Sequence, residues 1–189
     1  MMNTLTNATA NTSSSMLQMK LLQQLPDILT APLSAMEISL AYIIGGTVRG
    51  TVNGVLVMIL GIALIDMPVH SPILTVCFII MVSWAFASMG LVLGQLSDSW
   101  DQLAMMQNFF LTPLSFLGGV FYSINMLPDW AQTISLFNPI YYMINGIRFT
   151  TLGIADTSPI TSLIMALIMT MLFTTSAILF MHSGKKIKQ

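Results

Sequence analysis

Metal binding, nucleophilic catalysis and acid–base chemistry all need His, Cys, Asp, Glu or Lys brought together. This chain of 189 residues is poor in each, with six Lys and Arg, seven Asp and Glu, two His and one Cys. Cys77 is alone within an apolar run, which forbids an intramolecular disulfide or a cysteine-based cluster. His70 lies in a turn and His182 at the end of the last apolar segment. If the segments between them cross a membrane, roughly 30 Å of hydrocarbon keeps the two apart, so no metal site is expected and no cofactor. No GxxxxGK[ST] run occurs, so the chain has no P-loop of its own. Serine, histidine and carboxylate never cluster as a triad would require. Direct catalysis is not expected.

The most informative charged residue is Arg49, about ten positions, or roughly 15 Å of helix, into an apolar run that begins near residue 39. A cation at the centre of a bilayer costs at least a few kcal/mol. Three placements relieve that cost: snorkelling to the headgroups, pairing with another helix, or lining a substrate path. Gly46, Gly50 and Gly54 recur every fourth residue around it. That spacing puts three glycines on one helix face, where two helix backbones can approach closely. Thr47, Thr51 and Asn53 flank the same stretch and can hydrogen-bond across such a contact. The partner helix can belong to this chain or to a second copy.

These residues must be positioned by a membrane fold. The chain is 55% hydrophobic and only 7% charged, against about 25% charged residues in soluble domains. So little charge cannot coat a water-facing globule, and disorder requires the opposite composition. A net charge of −1 offers no basic patch for nucleic acid. Four apolar stretches reach the length a bilayer requires: about 39–65, 72–96, 103–124 and 160–181. The third contains Asn108, Thr112 and Pro113. Residues 1–19, rich in Thr, Ser and Asn, read as a disordered polar tail rather than a signal peptide. Residues 20–38 read as a cytoplasmic amphipathic segment, 125–159 as an outer loop, and 182–189 as a basic cytoplasmic tail. Lys20, Lys185, Lys186 and Lys188 on one side against Arg148 on the other place both termini in the cytoplasm by the positive-inside rule. The expected fold is therefore an all-α integral membrane protein of about four transmembrane helices.

One ordered stretch carries a family resemblance. It runs Phe109-Phe110-Leu111-Thr112-Pro113-Leu114-Ser115-Phe116-Leu117-Gly118-Gly119-Val120-Phe121-Tyr122-Ser123, then Asn125-Met126-Leu127-Pro128-Asp129-Trp130. It continues through Leu136-Phe137-Asn138-Pro139-Ile140-Tyr141-Tyr142 to Asn145-Gly146-Ile147-Arg148. This resembles the C-terminal half of ABC-2 type permeases, the membrane subunits of exporters for drugs, lipids and saccharides. The physics agrees. Pro113 kinks the third span and Gly118-Gly119 loosens it. Trp130, Tyr141 and Tyr142 suit the headgroup layer, and Asn138-Pro139 breaks a helix between them. Short interfacial or re-entrant helices are expected in this last extracellular loop.

Upstream, residues 24–38 resemble the family's coupling segment. That implies ATPase contacts at Asp27 and Glu37, with Asp98 and Asp101 in the next inner loop as further candidates. The resemblance implies a permease that pairs with a separate P-loop ATPase, dimerises, and sits among lipids in the bacterial inner membrane. The family's permeases have six spans, whereas this chain has room for about four. The rival expectation is a truncated or remnant membrane protein without transport activity, acting at most as a helix-pairing scaffold.

Overall fold

The computed structural model describes residues 2–24, 32–66, 68–120 and 126–183. Its first element overturns the disordered tail, because α1 (Met2–Leu21) is a continuous helix packed inside the bundle. Thr4, Leu5, Ala8, Thr9, Thr12, Ser13, Met16 and Leu17 are all buried. The reason lies in the size of these side chains and in where their hydroxyls go. Thr9, Thr12 and Ser13 donate to the carbonyls of Leu5, Ala8 and Thr9 at 2.9, 3.1 and 2.7 Å. Such back-bonding satisfies a buried hydroxyl without any partner outside the helix. Small residues then let neighbouring helices close in. Thr and Ser are weak helix formers, so tertiary packing rather than propensity holds α1.

Two long helices enclose it. Helix α2 (Ala35–Ile65) starts in a capping box in which Ser34 and Glu37 bond reciprocally. It ends at Asp66, whose left-handed backbone returns its N–H to the Gly61 carbonyl. Helix α3 (Pro72–Leu96) begins with proline in its first turn. The glycine face expected on α2 packs within the chain, against α1 and α3 together. A Cβ at Gly46 would collide with Thr12 Oγ1 and Ala87, one at Gly50 with Ala8 and Ser83, and one at Gly54 with Ile79 and Thr4. These pairings run α2 antiparallel to both neighbours. Gly90 and Gly94 on α3 complete the junction against the α1 backbone at Thr9 and Ser13.

The expected third span is helical over 100–117 but is not one α-helix. It consists of α4 (Trp100–Met106), a π-helical segment (Gln107–Leu111) and α5 (Thr112–Leu117). Pro113 has no N–H to donate and its ring clashes with the preceding turn of an α-helix. The chain widens just before it, and the Thr112 N–H bonds the Gln107 carbonyl five residues back. Two short helices follow, α6 (Asp129–Leu136) and α7 (Pro139–Leu152), in line with the expected helices of the outer loop. Finally α8 (Pro159–Ser183) runs back along α3. The two are joined by polar bonds, from Trp84 Nε1 to Thr174 Oγ1 at 3.1 Å and from Gln95 Nε2 to the Ala177 carbonyl at 3.2 Å.

Three of these helices are long and apolar enough to cross a membrane: Ala35–Leu64, Pro72–Leu96 and Pro159–Ser183. Within the most apolar window of each, 56% of residues in α3 are buried, but only 17% in α2 and 11% in α8. Helix α3 is thus the core of the bundle, and the other two turn apolar surface outward. The chain is an all-α membrane protein, with its third expected span replaced by the π-broken run and a polar helix added.

Two apolar clusters occupy the two ends. Met16, Ile38, Leu91, Ala177 and Met181 belong to one, and Leu5, Ile79, Ile144, Ile147 and Ala166 to the other. Because α1 traverses from the second cluster to the first, Met2 and Ser183 lie at opposite ends of the bundle. Two termini on one side, as expected from four spans and a loose tail, do not fit this arrangement.

Candidate functional site

Arg49 projects from the middle of α2, and of the three placements open to it the second is the nearest. Its Nη1 donates to Asn11 Oδ1 of α1 at 2.7 Å, while the residue stays exposed. Around it α1, α2 and α4 enclose a cavity of about 260 Å3 lined by Asn7, Ala10, Asn11, Ser14, Arg49, Trp100, Leu103, Ala104 and Gln107. The side of α1 that faces away from the core is thus the polar wall of this cavity. Gln107, the first residue of the π segment, donates to the buried Ser13 Oγ at 2.9 Å and ties α1 to the 100–117 run.

On another face of the 100–117 run lies a second cavity of about 370 Å3, between α3, α5, α7 and α8. Phe86, Met89, Leu96, Phe110, Met143 and Phe173 are among its walls, and none of its lining side chains is charged. A polar and an apolar cavity therefore share one irregular helical wall. π segments recur at functional sites because they set side chains off the regular α-helical faces. Asn108 and Pro113, expected at a helix interface or pathway, are exposed on this run and touch neither neighbour through a hydrogen bond described here.

The residues between α5 and α8 form a separate network. Arg148 on α7 pairs through Nη1 with Asp156 Oδ2 at 2.7 Å, and its Nη2 donates to the Gly119 carbonyl. Asn145 donates to the Thr157 carbonyl and hydroxyl at 3.1 and 2.9 Å and to Ser162 Oγ at 2.9 Å, while its oxygen accepts the Asp156 N–H at 2.8 Å. Asn138 caps α7 by accepting the Ile140 N–H, and its amide donates to the Leu114 carbonyl at 2.6 Å. Pro139 follows in the first helical turn. The three aromatic anchors divide. Trp130 is 70% exposed, Tyr142 is half-buried and bonds the Leu136 carbonyl at 2.9 Å, and Tyr141 is buried at 2% exposure. Burial pushes the Tyr141 phenol above its ordinary pKa. Tyr141 is therefore a core residue of this chain, not a headgroup ring. Sequence reading passed over Asp156 and Thr157 altogether. The one available signal was opposite charge at Arg148 and Asp156 across the helix-ending Gly153.

At the Lys20 end, the coupling candidates also divide. Lys20, 11% exposed, grips Asp98 Oδ1 at 2.5 Å and the Ser97 carbonyl at 3.1 Å, so Asp98 serves an internal tie between α1 and the α3–α4 turn. Glu37 and Asp101 are exposed. Asp27 lies outside the described residues, as do Lys185, Lys186 and Lys188. No group of His, Cys, Asp or Glu able to hold a metal occurs among the described residues.

Comparison with known proteins identifies the class. Residues 1–152 match the ABC-2 type transporter membrane family, and the match includes the polar helix α1. The chain is a member of the ABC-2 type transporter family. It is 36% identical over 162 residues to the inner membrane transport permease YadH of Escherichia coli K12, a match covering 86% of this chain and 63% of that protein. Nodulation protein J of Rhizobium leguminosarum bv. viciae is 39% identical over 69 residues, covering 36% of this chain and 27% of that protein. The chain thus spans less than two thirds of the length of these curated relatives. No solved structure matches it significantly.

Proposed function

We propose that this chain is a permease subunit of an ABC-2 exporter in the bacterial inner membrane, moving an amphipathic substrate at the expense of ATP hydrolysed by a separate P-loop subunit. Membership of the family, with an inner membrane transport permease among the relatives, supports the transport reading. The observation that carries the amphipathic part is the pair of cavities lined by the 100–117 run, one polar around Arg49 and one apolar around Phe110. A drug, lipid or lipid-linked saccharide has a polar and an apolar part to suit the two.

The ATPase docks at the end bearing Lys20. There Leu21, Leu22, Leu33 and Met36 are exposed, next to the carboxylates of Glu37 and Asp101. Such a mixed apolar and acidic surface suits a protein partner better than water. Lys185, Lys186 and Lys188, which follow Ser183 in the sequence, favour a cytoplasmic placement for this same end. A second permease, most simply another copy, covers part of the outward apolar surface of α2 and α8, with lipid covering the rest.

Affinity purification of the natively expressed chain in mild detergent, followed by mass spectrometry, tests this reading. A P-loop ATPase in stoichiometric amount is the expected result. Elution without one makes the chain a non-transporting membrane scaffold instead. Glu37→Lys and Asp101→Lys should each weaken recovery of the ATPase. Undiminished recovery with both removes the docking surface.

A further inference from the structure

We propose that the cavity around Arg49 binds an oxyanion, the phosphate or carboxylate head of an amphiphile, and that the Arg49 guanidinium is the group that grips it. Calling this ligand the exported substrate rests on the exporter reading; the binding itself does not.

Arg49 lies fourteen residues, roughly 21 Å of helix, beyond the start of α2, with exposed Val48 and Val52 beside it. A cation at that depth is stabilised by a counter-charge. Among the described residues the ion pairs are Lys20–Asp98 and Arg148–Asp156, and Arg49 enters neither. Its hydrogen bond to Asn11 at 2.7 Å engages an amide oxygen, which orients the guanidinium without neutralising it. The planar fork carries five N–H donors, matched in geometry to a carboxylate or phosphate.

The walls select the same ligand. The lining residues that keep N–H donors for a ligand are the Arg49 guanidinium, the Asn11 and Gln107 amides and the Trp100 indole, with no carboxylate in the lining. The Asn7 amide and Ser14 hydroxyl are committed within α1. A cation with free donors beside it and no carboxylate in the lining attracts an anion and repels a second cation. The cavity is also held in shape before any ligand arrives: Gln107 is tied to Ser13, and Asn7 donates to Asn3 at 2.6 Å. Across the shared wall, the cavity around Phe110 offers room for an apolar tail.

The test uses the full chain, purified in detergent and stripped of lipid, then offered phosphatidylglycerol or phosphatidylcholine and examined by native mass spectrometry. Wild-type protein should retain the anionic lipid about tenfold better than the zwitterionic one, the scale of one charge-assisted contact. Arg49→Gln should lose that preference, and Arg49→Lys should keep only part of it, because an ammonium lacks the fork. Asn11→Asp is the decisive variant. It gives Arg49 a carboxylate in place of an amide, which fills the site from within while keeping α1 and α2 joined. Its melting temperature should equal or exceed that of wild type, and its preference for phosphatidylglycerol should vanish.

Inorganic phosphate added at millimolar concentration separates the sources of the oxyanion. Displacement of the lipid assigns the site to a small free anion, and failure to displace assigns it to a headgroup held also by its tail. Either outcome supports the oxyanion site when it is accompanied by loss in the variants. Equal retention of the two lipids by wild type, or an undiminished preference in a folded Asn11→Asp chain, overturns it. If Arg49→Gln fails to fold, Asn11→Asp alone decides. No ATPase or transport enters the assay, so failure here and failure of the exporter reading are told apart.

Discussion

Arg148 and Arg49 lie in two regions that treat a cation in opposite ways. Around Arg148 the chain supplies a carboxylate and a backbone carbonyl, with an asparagine that fixes the loop carrying that carboxylate. Around Arg49 a single amide oxygen stands in an open polar cavity. The first is a structural cation, costly to remove because its counter-charge is buried with it. The second is held ready, oriented but not neutralised. The presence of an arginine near a membrane says little about its role; what it has as a partner says much more.

The sharpest way to break this contrast is to disrupt the Arg148 pair. Arg148→Met removes the cationic partner of Asp156, whose side chain is only 8% exposed, and should destabilise the protein by about 3 kcal/mol in a denaturant unfolding assay in detergent. Adding Asp156→Leu should recover much of that loss, since no charge is then left buried. If the double variant is no better than the single one, Arg148 acts by some other contact.

Gly90→Val should come next, at about 2–3 kcal/mol. Its Cβ would meet the Thr9 carbonyl oxygen at 2.5 Å, a backbone atom that cannot swing aside. The damage should fall on α1 and the Arg49 cavity and spare the Arg148 loop. Hydrogen exchange that rises in α1 but not in α7 is the expected pattern.

Lys20→Met should cost less, about 1 kcal/mol, because Asp98 is half-exposed and solvent screens the pair. The wild-type protein should lose a similar amount on adding salt. Arg49→Met should cost least, about 0.5 kcal/mol for one exposed hydrogen bond. A loss as large as that of Arg148→Met would make Arg49 structural and collapse the comparison.

The legibility of these regions differed for physical reasons. The glycine triplet was visible as a close-packing face from its spacing alone, yet the identity of the partner was not. It turned out to be two helices of the same chain, α1 and α3. The short helices before the last long one were visible from Asn138-Pro139 and the aromatic pattern. The burial of Tyr141 was not, because a ring flanked by Tyr142 reads the same on either face of a helix. Helix α1 was misread because composition reports polarity before hydrogen bonding. A Thr or Ser that returns its hydroxyl to its own helix behaves as a small packing residue. Pro113 announced a kink, and the π segment preceding it spread that disturbance over a whole turn.

The sequence by itself determined that this is a helical membrane protein of the ABC-2 kind. Sparse charge, apolar runs of bilayer length and an ordered loop pattern are properties of the chain read in one dimension. The tertiary structure alone decided which side chains meet. It seated a polar helix inside the bundle, put the Met2 and Ser183 ends at opposite faces, paired Arg148 with Asp156, and left Arg49 with an amide. Pairing across helices depends on rotation and depth, and neither is encoded in spacing along a single helix.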